Sequence, residues 1–404
     1  MDSSCQTRID RKRYVVLIAG IVIQFCAGTI YMWSVYKGPV AEYLEWDTGS
    51  AGLTSSFMLA AFVAGIFVGG RLMDRVGPRK VCLAGSLIMS LGILASSIVT
   101  SGSPYLIYLT YGIVGGFGVG VVYTCTVSPI QKWFFDRKGF ATGLMVGAFG
   151  LSLVLFAPLA EFLLSNIGVP STFVVFGVAF LIICVSASIL IGNPPDGYVI
   201  PKASPASDQK QFSPREMLRT RSFYLITFSL FFILSAYFVL NPQFKSLGME
   251  RGLSNEMAVM AVMITGVCSA CGRILITWMS DNIGRMSALL LIIGLTLIGV
   301  VLVIFAEDLL YIVCLALIAF AFGGAAGIYA TVTSDHFGTK NMGSNYGLVM
   351  LGFGASALIF PLLSTRISLT AIFTICAVTC VASLICILLL RRYSEVKTQK
   401  EVPQ

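Results

Sequence analysis

Stretches of about 20 apolar residues, long enough to cross a ~30 Å hydrocarbon core as helices, follow one another along all 404 residues. They predict twelve spans, at 14–36, 51–73, 81–100, 105–130, 139–163, 170–192, 222–242, 255–279, 286–306, 309–332, 343–365 and 369–391. Most breaks between them are short and polar. One is long: 193–221, NPPDGYVIPKASPASDQKQFSPREMLRTR, is rich in Pro, Ser and Lys and reads as a linker. It divides the spans six and six, giving expected units at 1–192 and 222–404 around the linker. The expected fold class is an all-α membrane protein of two pseudo-symmetric six-helix bundles.

Charge adds an orientation. Charged residues are only 11% of the chain, against roughly 25% in a soluble domain. With both termini inside, the inner segments hold 22 of the 27 Lys and Arg, and the outer segments hold Lys37, Lys245, Arg251 and Arg366. This asymmetry obeys the positive-inside rule and predicts cytoplasmic termini in a multi-pass cell-membrane protein. The net charge of +8 is thereby a topology signal, and no nucleic-acid partner is expected. The start, RIDRKRYVVLIAGIVIQFCAG, resembles a signal peptide, but no small-residue cleavage pattern stands clear of the apolar run, so an uncleaved first span is expected.

One cation is left over. Arg273 lies within the apolar run AVMAVMITGVCSACGRILITWM. A charge at that depth costs about 3 kcal/mol or more and normally faces protein or a water-filled cavity. Of the 19 acids, eighteen fall in tails, loops or helix ends, and helix rise puts the other, Glu161, near the outer surface. No carboxylate is thus expected at mid-depth to neutralise Arg273. Its planar fork suits a substrate carboxylate, with two parallel charge-assisted hydrogen bonds. Bonds to the carbonyls of a broken helix are the structural alternative.

The two halves are related. GLMVGAFGLSLVLFAPL (143–159) and GLVMLGFGASALIFPLL (347–363) agree at seven of 17 positions, and MDRVG (73–77) corresponds to SDNIG (280–284). In transporters built from repeats the substrate site lies near the midplane between the repeats. Depth from helix rise places Tyr31, Tyr123, Phe149, Tyr329 and Phe353 in the same band as Arg273, where tyrosine hydroxyls and aromatic rings would complete such a site. The CxxC of Cys268 and Cys271 lies inside a span with His336 as the chain's only histidine, so neither metal nor cofactor is expected.

The loop GGRLMDRVGPRK (69–80) resembles the signature loop of the major facilitator superfamily between its second and third helices. The resemblance implies an inner gate, with Asp74, Arg75, Arg79 and the half-copy Asp281 as candidates. Asp74 would cap a helix end or pair with an Arg across the halves. GTIYMWSVYKGP (28–39), LNPQFKSLGMERGLS (240–254), GRILITWMSDNIGR (272–285) and FGTKNMGSNYGLVMLGFGASALIFP (337–361) look like the oxalate/formate antiporter family, close to monocarboxylate transporters.

In oxalate exchangers of that family a helix-eight Arg and a helix-eleven Lys hold the two carboxylates. Here the Arg maps to Arg273, the Lys position to Phe353, and an aromatic of helix ten to Ala325. With one cationic centre the expected substrate is a monoanion of the lactate, pyruvate or formate kind. Monocarboxylate transporters carry an intramembrane acid near the helix-eight Arg; one turn before Arg273 stands Ser269. The resemblance implies proton-linked uptake, with oxalate/formate-type exchange as the alternative and a non-transporting carboxylate sensor as a reading from another class. The expected partners are the small organic anion, protons and the bilayer, and the expected state is a monomer. An intramembrane enzyme lacks its chemistry: no acid pair, metal cluster or Ser/His set lies at depth.

Overall fold

The computed structural model describes residues 3–195, 198, 210–241, 244–364 and 368–401, so part of the expected linker lies outside the described residues. Among the described residues, eleven helices are long and apolar enough to cross a membrane. One of them, Lys138–Ser188, has 51 residues, or about 76 Å of helix, far more than one crossing needs. It is broken at Gly168, whose φ of 77° lies in the left-handed region that glycine adopts without strain. The break yields two crossings, and twelve spanning helices result, as the hydropathy pattern predicts.

We number them α1 (Arg11–Tyr43), α2 (Thr48–Val76), α3 (Pro78–Ile98), α4 (Tyr108–Trp133), α5 (138–167), α6 (169–188), α7 (Arg221–Leu240), α8 (Glu256–Ile283), α9 (Arg285–Phe305), α10 (Asp308–Phe337), α11 (Met342–Leu363) and α12 (Ala371–Tyr393). Local sequence sets the ends. Asp47 caps α2 and Ser254 caps α8 through their side-chain oxygens. Gly77 and Gly284 end α2 and α8 at corresponding points.

The first six and last six helices form two related bundles. Across the interface α2 packs on α11 and α8 packs on α5. The sequence repeats pair α2 with α8 and α5 with α11, so the two contacts are copies of one another. Small residues allow the approach. Gly143 and Gly147 of α5 lie against Ile274 of α8, and Gly347 of α11 lies against Phe67 of α2.

Contact between the bundles is strong from mid-membrane to the face that carries Asp74 and Asp281, here called the latch face. On α8, Ala270 and Thr277 are buried, whereas Val267 and Met263, one and two turns further from the latch face on the same helix side, are exposed. Val154 on α5 is exposed likewise. The structure is therefore closed on the latch face. The end of the linker is pinned to that face: Phe212 N–H donates to the Phe337 carbonyl, and the amides of Asn341 and Asn345 donate to the Phe212 carbonyl.

Candidate functional site

Arg273 sits on the α5-facing side of α8 and is 3% exposed. Its Nη2 donates to the Tyr31 hydroxyl at 3.1 Å, and its Nη1 reaches the Val146 carbonyl at 3.5 Å. Its Nε is buried with no hydrogen-bond partner. The guanidinium stands 5.6 Å from the centre of the Tyr31 ring and 5.8 Å from that of Phe149, within cation–π range. Among the described residues no carboxylate pairs with it. A group with five N–H donors and a full charge is thus held by one hydroxyl, one distant carbonyl and two ring faces. The carbonyl-bonded alternative accounts for only the longer of the two hydrogen bonds.

These groups border a cavity of about 20 Å³, lined by Tyr31, Phe62, Tyr123, Val146, Phe149, Arg273, Ala326, Met350 and Phe353. That is room for about one water molecule. Five of the six residues expected at a central site, Arg273, Tyr31, Tyr123, Phe149 and Phe353, are brought together here. Phe149 meets Tyr31 and Tyr123 edge-on at 5.6 and 5.3 Å between centroids. Phe353 reaches the opposite wall against Phe62 and Phe238 at 6.4 and 5.5 Å. Local backbone helps to set Tyr31: α1 tightens into a 3₁₀ turn over Gly28–Met32, a change that in mid-helix often marks a functional position.

Tyr329 corrects the expectation. It lies at the predicted depth but not at the cavity: its hydroxyl pairs with Ser229 on α7 at 2.9 Å, and Ala326 takes the cavity side of α10. Helix rise fixes height and leaves azimuth open, so depth alone could not place it. Tyr346 was not expected. Its hydroxyl lies 3.4 Å from that of Tyr123, a contact across the bundles just on the latch side of the cavity. Met350 and Val146 each stand three residues before an expected aromatic, Phe353 and Phe149, and so share its helix face; that spacing was a usable signal. Phe62 had none.

The gate candidates resolve unevenly. Asp74 accepts from the backbone N–H of Ser344 at 2.7 Å and of Gly343 at 3.3 Å, capping α11 across the interface. Asp281 accepts from Gly139 and Phe140 N–H, both at 2.9 Å, capping α5. Each aspartate thus meets the positive end of a helix in the other bundle. The Asp281 side carries further charges. Arg285 pairs with Asp281 and Asp335, and Lys138 of the first bundle pairs with Asp335 at 2.7 Å.

Arg75 and Arg79 make no such link among the described residues. Arg79 Nε donates to the Ile191 carbonyl, beyond the end of α6 in its own bundle, at 3.4 Å, and Arg75 is exposed. A neutral contact also crosses at the latch face: Ser334 donates to Gln131 Oε1 at 3.1 Å, and the Gln131 amide bonds Thr142.

A buried cation facing a small aromatic cavity at the junction of two related bundles, with helix-capping latches on the latch face, fits a membrane carrier built from repeats. The family model of the Major Facilitator Superfamily matches residues 16–361. The uncharacterized MFS-type transporter YhjX of Escherichia coli is 26% identical over 352 residues, covering 86% of this chain and 87% of that one. The oxalate:formate antiporter of Oxalobacter formigenes is 28% identical over 346 residues, covering 84% and 81%. Human monocarboxylate transporter 11 is 27% identical over 341 residues, covering 80% and 70%. Among solved structures the fold is similar to FucP in the outward conformation, with a TM-score of 0.71 at 14% identity over 93% of this chain and 97% of that one. The chain belongs to the major facilitator superfamily and is a membrane transporter of that kind.

Proposed function

We propose that this transporter moves a small monocarboxylate across the cell membrane, with Arg273 binding the carboxylate. The observation that carries the reading is the guanidinium itself. It is buried, has no acidic partner among the described residues, and keeps a donor unused beside the cavity. A carboxylate arriving there would take up two N–H groups in parallel and accept from the Tyr31 hydroxyl, replacing two weak contacts by strong ones.

The opposite wall favours a single charge. Phe353 faces the cavity from α11, and among the described residues no second cation lines it. A dianion would leave one carboxylate against a phenyl ring in a low-dielectric site, which is costly. The relatives include proteins described as an oxalate:formate antiporter and as monocarboxylate transporters, and the single Arg supports the latter chemistry for this chain. Since no carboxylate lines the cavity among the described residues, a proton would travel on the substrate itself. That same observation favours exchange of one anion for another as the second reading.

Uptake into proteoliposomes tests both. Arg273→Ala and Arg273→Lys should abolish uptake of lactate, pyruvate or formate while the purified proteins melt as the parent does. Full uptake by Arg273→Ala overturns the proposal. Stimulation by an inward proton gradient supports symport, and stimulation only by internal anion supports exchange.

A further inference from the structure

A second basic site lies on the outer wall of the transporter, away from the central cavity. At the latch face the first turn of α7 and the turn of α12 that holds Leu389, Arg392 and Tyr393 enclose a groove of about 480 Å³, lined by those residues with Arg221, Tyr224 and Leu225. The proposed transport chemistry makes no use of it.

Its residues are ordered by depth. Arg221, Leu225 and Phe228 follow one face of α7 at spacings of four and three, and Arg392, Leu389 and Ile385 follow one face of α12 in the opposite sense. Both arginines therefore stand at the boundary, with apolar side chains running from them into the bilayer. Phe228, Ile385 and Leu388 are exposed and continue the wall toward the membrane interior. Tyr224 and Tyr393 flank the arginines, half exposed, as aromatic residues do at a headgroup layer. Among the described residues no acidic side chain lines the groove. The N-terminus of α7, capped by Thr220, adds its positive end at the same point.

We propose that this groove binds an anionic phospholipid of the adjoining leaflet, its phosphate held between Arg221 and Arg392 and an acyl chain laid along Leu225 and Leu389. The two parts of the lining select the ligand. A phosphate diester matches the paired guanidinium groups. A free phosphate would gain nothing from the apolar floor. A zwitterionic headgroup would bring its own cation toward two arginines.

The test is direct binding to the purified full-length protein in detergent, read by native mass spectrometry. The probes are phosphatidylglycerol, phosphatidylcholine and, as the free phosphate, sn-glycerol 3-phosphate. Phosphatidylglycerol should bind well above the other two. Its affinity should fall roughly fivefold in Arg221→Gln or Arg392→Gln and about 30-fold in the double variant, following the usual worth of a basic residue at a charged membrane surface. Arg215→Gln, an exposed arginine outside the groove, should bind as the parent does.

Leu389→Trp keeps both charges and fills the groove, so it should weaken binding even if the arginine variants fold poorly. Equal binding of phosphatidylcholine, undiminished binding by the double variant, or undiminished binding by Leu389→Trp overturns the lipid site. Glycerol 3-phosphate binding as well as the lipid would make it a free-phosphate site and overturn it equally.

Discussion

Asp281 and Asp74 act on backbone groups of the opposite bundle, which makes their coupling measurable. Consider Asp281→Ala. The substitution removes two charge-assisted hydrogen bonds, to Gly139 and Phe140 N–H at 2.9 Å, and leaves Arg285 with Asp335 as its remaining ion pair. The Asp281 side chain is 14% exposed, so water restores part of the loss. A hydrogen bond to a charged group is worth about 1.5–3 kcal/mol. Discounting two of them for exposure and for the remaining Lys138–Asp335 bridge, we expect the latch-closed state to lose about 2–3 kcal/mol. That is a shift of roughly 30- to 150-fold toward opening.

Hydrogen exchange read by mass spectrometry separates this from a merely local effect. Loss of a cap alone speeds exchange at Gly139 and Phe140. Opening of the gate also releases Gly343 and Ser344, which Asp74 holds on the other side of the interface. Exchange at 343–344 should therefore rise in Asp281→Ala, and exchange at 139–140 should rise in Asp74→Ala by a smaller factor, because one bond of that latch is 3.3 Å long. If each variant changes only the amides that its own aspartate touches, the two latches are independent caps and the concerted gate is refuted.

Three further outcomes follow from the central site. Gly150→Ala would place a Cβ 2.9 Å from Arg273 Nη1; with the guanidinium displaced, carboxylate affinity should fall by roughly tenfold, the worth of about one charged hydrogen bond, and an unchanged affinity by isothermal titration would contradict the assigned geometry. Phe353→Lys supplies a second cation across the cavity and should shift ligand-induced melting-temperature gains from monoanions toward oxalate; no shift would detach Phe353 from selectivity. Tyr123→Phe breaks the Tyr346 contact beside the cavity, whereas Tyr329→Phe breaks only a bond to Ser229, so transport kinetics should change in the first and stay near the parent in the second.

The fold was legible because its strongest terms are one-dimensional. The apolar length of each crossing and the repeat linking 143–159 with 347–363 are both read along the chain. The two latches were half legible. MDRVG and SDNIG pointed to Asp74 and Asp281, but their partners are backbone N–H groups, which carry no sequence signature. The cavity depended on azimuth as well as height. Phe149 and Phe353 occupy equivalent places in related helices and were found together. Tyr329 had the right height and the wrong side, facing Ser229 on α7. The basic groove of α7 and α12 joins residues 221 and 392 through packing alone, and no motif announced it.

The helix that holds Arg273 also holds Asp281, eight residues or ~12 Å nearer the latch face. In the structure Arg273 spends its contacts on the other bundle, through Tyr31 of α1 and Val146 of α5. Under the proposed function a carboxylate would compete for those donors, so binding exchanges direct contacts between bundles for contacts that pass through the substrate. A ligand shifts such an equilibrium only by its differential affinity for the two states. Arg273, Tyr31, Phe149 and Phe353 come from both bundles, so a substrate that touches all four binds best when the bundles are close around it. The latches favour the present latch-closed state by about 2–3 kcal/mol at the Asp281 side, from the strength of its hydrogen bonds. A carboxylate gaining two charge-assisted hydrogen bonds supplies a quantity of the same size. Under the proposed function, that gain releases the latches only to the extent that it is larger in the latch-open state than in the present one.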